Sequence, residues 1–199
     1  MIILGLTGSI AMGKSTVARQ FAGSGVAVCD SDRVVHGLLG RKGAAVAQVA
    51  EIFPGSLEGE AINRALLAKE VFGMSGKLKQ LEAILHPLVR KAQDRFIRRA
   101  RIQGKWLVVL DIPLLFETNA EQRCDYTVVV FAPAFLQKRR VLRRHLMTEE
   151  KLARILARQF PTYEKIKRAD FIVPTGLGRY ESLRMVRQIK QKLSHNYKK

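Results

Sequence analysis

Residues 2–15, IILGLTGSIAMGKS, decide how this chain folds. Ile2 to Leu6 is a short aliphatic run, the pattern of a strand buried on both faces. From Gly13 to Ala22 the apolar positions Val17, Ala18 and Phe21 mark one face of a helix. Between them, Gly8 to Ser15 matches G-x-x-x-x-G-K-[ST] in the strand–loop–helix context that gives this pattern its meaning. Backbone N–H groups of such a loop bind phosphate oxygens, helped by the unpaired amides and dipole of the helix N-terminus. Gly8, Ser9, Ile10, Ala11, Met12 and Gly13 are expected to form that cradle. Lys14 is expected to contact the β/γ-phosphates, Ser15 to offer its hydroxyl to Mg²⁺, and Thr16 to stand near the α-phosphate.

Gly25 to Cys29 reads as a second strand ended by Asp30-Ser31-Asp32, which completes a βαβ unit with parallel pairing. Helical segments are predicted over Val34–Phe53, Asn63–Phe72 and Ser75–Leu85, with a turn-rich stretch around Pro54-Gly55 and Gly59. Pro87 fits the first turn of a further helix, and His86 before it is pushed toward extended backbone. Strands follow at Trp106–Leu110, ending in Asp111, at Tyr126–Phe131 and at Phe171–Val173. Helices contain Phe135–Arg144 and Glu149–Phe160, and a last one carries Leu183, Val186, Ile189 and Leu193. Five buried strands between helices predict a three-layer α/β/α fold with a five-stranded parallel sheet.

The chain has 199 residues, 47% of them hydrophobic and 26% charged, so wholesale disorder is excluded. No apolar run nears the ~20 residues of a membrane span, and MIILGLTGS lacks the basic start of a signal peptide. Cys29 and Cys124 are too few for a disulfide framework or zinc cluster, and read as reduced thiols in a cytoplasmic protein. Thirty-five Lys and Arg against 17 Asp and Glu give a net +18, which favours anionic partners. Most of that charge lies in Arg90–Lys105, Lys138–Arg168 and Arg179–Lys199, broken by apolar residues at helical spacing. No aromatic-interleaved basic patch marks a nucleic-acid partner, although a basic nucleic-acid binder with a regulatory phosphate loop remains the reading from another class. No N-K-x-D guanine reader is present, and the IPL after Asp111 is no D-x-x-G switch. A small-molecule kinase is the simplest reading, its acceptor left open among nucleosides, nucleotides and polyols.

Further blocks narrow the acceptor by resemblance. GLTGSIAMGKSTVA, CDSD at 29–32, the stretch from Ile62 to Phe72, LHP at 85–87, DIPLLFE at 111–117, QKRRVLRR at 137–144, ARILARQ at 153–159 and ADFIV at 169–173 occur in order. Together they resemble the dephospho-coenzyme A kinase family across nearly the whole chain. The resemblance implies ATP as donor with Mg²⁺, and dephospho-CoA as the small-molecule acceptor, phosphorylated at its ribose 3′-hydroxyl. No membrane partner follows, and the chain is expected as a monomer or weak homo-oligomer. It also implies a core of about 1–35, 104–135 and 169–199, a helical CoA-binding lobe of about 36–103, and a lid of about 136–168.

Asp32 becomes the expected catalytic base, although Asp30, Ser31 and Asp32 equally suit the cap of the next helix. Asp111 is expected to hold Mg²⁺, with a strand-end acid pairing a lysine as its structural alternative. Arg64 and His86 are expected at the substrate, His86 being equally suited to a structural role. Pro113, Leu114, Leu115, Phe116 and Glu117 read as an acceptor-site wall, or, for the leucines, as core. Arg140 and Arg144, at helical i,i+4 spacing, and Arg154 are expected to clamp phosphate, Arg144 first among them. The sequence departs from the family pattern at Ser9 and Ala11, where Gly is common, and at Met12, where Ser is. It departs again at Asn63, His145 and Thr175, and Ala11 would be strained if its position requires φ > 0.

Overall fold

The computed structural model describes residues 1–71, 74–145 and 147–197. In chain order the elements are β1 (Ile2–Thr7), α1 (Lys14–Gly23), β2 (Ala27–Asp30), α2 (Ser31–Leu39), α3 (Val46–Ile52), β3 (Leu57–Glu58), β4 (Ala61–Ile62) and α4 (Arg64–Val71). There follow α5 (Ser75–Ile102), β5 (Leu107–Asp111), β6 (Tyr126–Phe131), α6 (Ala134–Leu142), α7 (Glu149–Leu156), α8 (Thr162–Arg168), β7 (Phe171–Pro174) and α9 (Arg179–Tyr197). Two compact units result, one of Met1–Cys29 with the chain from Ala100 onward, the other of Asp30–Arg99.

The first unit carries a five-stranded sheet in the order β2-β5-β1-β6-β7, its strands parallel as the βαβ start requires. Leu4, Leu6, Val108 to Leu110 and Val128 to Val130 are wholly buried, because helices cover both faces of such a sheet. Val17 and Phe21 of α1 and Val186, Ile189 and Leu193 of α9 join this core. Each such side chain contributes about 1.5–3 kcal/mol of transfer free energy. Pairing of Leu6 with Asp111 and of Thr7 with Val129 brings the carboxyl ends of β5 and β6 alongside the end of β1.

The second unit packs α2 to α5 and the β3–β4 hairpin around Leu39, Val49, Phe53, Ile62, Leu67 and Leu81. The helical segments predicted over Val34–Phe53 are α2 and α3, divided where the chain extends at Gly40 and turns through Lys42 at φ 57°. The segments predicted on either side of Pro87 are one 28-residue helix, and His86 is helical rather than extended. Leu81, Ile84, Leu85 and Leu88 all face this core, so continuous packing across Pro87 outweighs the local preference. The hairpin at 57–62 and helix α8 were not predicted, being too short for periodicity to reveal. Helices α6 and α7 stop at Leu142 and Leu156, short of the predicted Arg144 and Phe160. Phe72 and Lys199, in the predicted segments, lie outside the described residues.

Candidate active site

The loop between β1 and α1 is built from both sides. Gly8 follows β1 where a Cβ would meet Val130 Cγ2 at 2.2 Å, so only glycine fits beside β6. Gly13 takes φ 93° at the N-cap of α1, and a Cβ there would press on Thr175 Oγ1 at 3.0 Å. Ala11 sits at φ 59°, so the position does require the left-handed region, at a cost of about 1–2 kcal/mol. Ser9 and Met12 are buried, and Met12 N–H donates to Ser9 O at 3.1 Å to close the turn.

Side chains hold the outer carbonyls of this loop. Gln137 Nε2 donates to Ile10 O at 2.9 Å, Arg140 Nη1 to Ala11 O at 3.4 Å, and Thr175 Oγ1 to Met12 O at 2.5 Å. Ile10 N–H donates to Gln159 Oε1 at 3.2 Å, and Ser9 Oγ lies 3.5 Å from Thr162 Oγ1. Arg140 also donates to Thr175 O at 2.8 Å. The guanidinium expected on phosphate is therefore engaged with the loop's own backbone. Its expected partner Arg144 is exposed and lies beyond the end of α6, so the two do not share a helical face. The turn tightens there, with Arg144 N–H donating to Val141 O. Arg154 is exposed on α7.

Lys14 opens α1 with its Nζ 2.5 Å from Asp111 Oδ1, the acid itself 2% exposed. Ser15 and Thr16 follow in the first turn of α1, whose amides are left without intrahelical partners at Lys14 and Ser15. Ser15 and Asp111 are hard oxygen donors of the kind Mg²⁺ takes beside phosphate oxygens. Among the described residues no group of three or more His, Cys, Asp or Glu forms a metal site of protein ligands alone.

The PLLFE segment divides. Pro113 and Leu114 are half-buried, and Pro113 O accepts from Thr7 Oγ1 at 2.9 Å. Leu115 and Phe116 are buried, at 0% and 2% exposure. Glu117 Oε1 lies 2.7 Å from Nζ of the fully buried Lys165 and accepts from Phe160 N–H at 2.8 Å. Glu117 thus ties α8 to the segment after β5, a role its sequence position did not announce.

In the second unit Asp30 caps α2, its Oδ1 accepting from Arg33 N–H at 3.1 Å. Ser31 is buried and accepts from Gln93 Nε2 at 3.0 Å. Asp32 performs neither task and stands exposed in the first turn. His36, one turn on, shares its face, and Arg64 Nη1 lies 3.0 Å from His36 Nδ1. Asn63, the departure before Arg64, accepts from the amides of Ala65 and Leu66 and so starts α4. His86 is exposed on α5. Sequence reasoning missed Gln137, Gln159, Lys165 and His36. Two of these, Gln137 and Gln159, lie inside blocks that carried the resemblance, and Thr175 was visible only as a departure.

The family model described as Dephospho-CoA kinase matches residues 2–177. The dephospho-CoA kinase of Rhodospirillum rubrum is 54% identical over 94% of this chain and 89% of its own length. That of Agrobacterium fabrum is 48% identical over 97% and 98%. The crystal structure of TT1252 from Thermus thermophilus superposes with TM-score 0.82 at 34% identity, over 98% of this chain and 97% of that one. A shikimate kinase from Bacteroides thetaiotaomicron, at TM-score 0.52 and 16% identity over 97% and 98%, shares the fold. No helix among the described residues is long and apolar enough to cross a membrane. With its glycine-bounded loop and Lys14 at the start of α1, and matched over nearly its whole length, this chain belongs to the dephospho-CoA kinase family, which catalyses the final, ATP-dependent step of coenzyme A biosynthesis.

Proposed function

We propose that this chain transfers the γ-phosphoryl group of ATP to the ribose 3′-hydroxyl of dephospho-CoA, giving coenzyme A and ADP. The observation that carries this reading is the phosphate loop itself, with Lys14 and the free first-turn amides at the end of β1. Lys14 exchanges Asp111 for the β/γ-phosphates when nucleotide binds. Asp32 orients the acceptor hydroxyl and receives its proton as the new O–P bond forms and the bond to the β-phosphate oxygen breaks. A loose phosphoryl transition state asks for that proton late, which suits an exposed carboxylate. Arg64, braced by His36, binds the acceptor together with His86. Arg144 and Arg154 meet the transferred charge. Mg²⁺, held by Ser15 and Asp111, would neutralise charge on the phosphates.

In this reading the core is about 1–35, 104–135 and 169–199, the acceptor lobe about 36–103 and the lid about 136–168. Lid closure excludes water, the competing acceptor. The enzyme works in the cytoplasm as a monomer or weak homo-oligomer. The test is ADP release measured with dephospho-CoA beside adenosine, AMP and shikimate. Turnover should depend on dephospho-CoA, and equal or greater turnover with any of the others would overturn the acceptor.

A further inference from the structure

The hydrogen bonds behind the phosphate loop do not all do the same thing. In a trans peptide the C=O and the following N–H point in opposite directions. A side chain that holds one carbonyl therefore aims the next amide. Arg140 holds Ala11 O, but the amide this aims, Met12 N–H, is already spent on Ser9 O. Gln137 holds Ile10 O, and the amide it aims is that of Ala11. Among the described residues Ala11 N–H donates to no protein atom. Ala11 is also the non-glycine residue held at φ 59° in this loop, so its peptide plane needs outside support. Gln137 is 6% exposed and projects from the first half of α6, at the start of the proposed lid and in the same unit as the loop.

We propose that Gln137 is a positioning residue for the phosphoryl donor: by fixing the Ile10–Ala11 peptide it keeps the Ala11 amide turned into the phosphate cradle. Gln159 braces the preceding peptide through Ile10 N–H, so the two glutamines bracket one residue of the loop. The cradle is then organised before nucleotide arrives, and binding does not have to supply the ordering of a strained peptide. The inference rests on the reading that this loop binds the triphosphate of ATP.

The test compares the full-length enzyme with Gln137→Met, which keeps the bulk and loses the donor, and Gln137→Glu, which sets an acceptor against Ile10 O. Dissociation constants for ATP and for adenosine are measured by titration, with melting temperature alongside. Loss of one well-aimed amide should weaken ATP about tenfold while adenosine binding stays within about twofold. A variant that lost only packing would weaken both ligands together. Equal weakening of ATP and adenosine, or unchanged ATP affinity in either folded variant, would overturn the role of Gln137. Wild-type enzyme that bound ATP no more tightly than adenosine would instead overturn the triphosphate reading of the loop, and this inference with it.

Discussion

Lys14 Nζ lies 2.5 Å from Asp111 Oδ1, and the two side chains are 15% and 3% exposed. The cation of the phosphate loop therefore neutralises a buried acid while it waits for nucleotide. Replacing Lys14 alone by Met removes the countercharge 2.5 Å from that acid, at a cost of about 3 kcal/mol, besides lowering turnover by roughly 10²–10³-fold. Adding Asp111→Asn should restore most of the stability and none of the activity. Urea unfolding and steady-state rates on the three variants check this, and unaltered stability in Lys14→Met would refute the coupling.

Asp30 takes the cap of α2 and leaves Asp32 without a structural duty in its own helix. Asp32→Asn should therefore melt like wild type, bind ATP normally and lose roughly 10²–10⁴ in turnover with dephospho-CoA. Near-normal turnover in this variant would falsify its role as base.

Arg140 and Arg144 are four residues apart and should respond differently to loss. Arg140 is bonded to Ala11 O, Thr175 O and Thr175 Oγ1, so Arg140→Ala should raise KM for ATP and lower Tm by several degrees. Arg144 is exposed, so Arg144→Ala should lower kcat and leave Tm unchanged. Matching profiles for the two variants would show that this division of roles is wrong.

Ala11→Gly should stabilise the protein. Relief of left-handed strain is worth about 1–2 kcal/mol, and the added freedom of the unfolded chain takes back about 0.4–1 kcal/mol. The balance, about 0–1.6 kcal/mol, corresponds to a Tm higher by up to about 6 °C. A fall in Tm would mean that the backbone at residue 11 is not under strain.

Burial pushes the Cys124 thiol up to about 12, with Arg123 opposing and Asp125 and Glu121 adding to the rise. The folded form thus binds this proton more tightly than the unfolded one. Its contribution to stability is complete below the ordinary thiol value near 9 and is lost as pH climbs from there toward 12. Wild type should lose stability over that range by up to ~1.4 kcal/mol per pH unit through this group, and Cys124→Ala should show a shallower decline. Identical slopes for the two proteins would remove Cys124 as the cause.

The strands and the phosphate loop were legible because their signals are local. Buried parallel strands read as aliphatic runs, and two glycines, a lysine and a serine at fixed spacing mark the loop. What stayed hidden depends on long-range partners. Nothing near Gln137 in sequence shows that its amide reaches Ile10, and nothing near Glu117 shows Lys165 beneath it. Pro87 was misread for the same reason, since the apolar contacts that carry α5 across it come from other helices. The acceptor came from resemblance alone, because phosphate chemistry is common to many kinases.

Gly8 shows where one letter of the signature comes from. Its missing side chain makes room for Val130 of the neighbouring strand. The first glycine of the motif therefore records how tightly two strands abut, and it answers to a residue more than a hundred positions away. Trimming Val130 to alanine would remove the nearest contact a Cβ at Gly8 would make and leave Val130 O at 3.0 Å, so tolerance of alanine at position 8 is set in part inside the sheet.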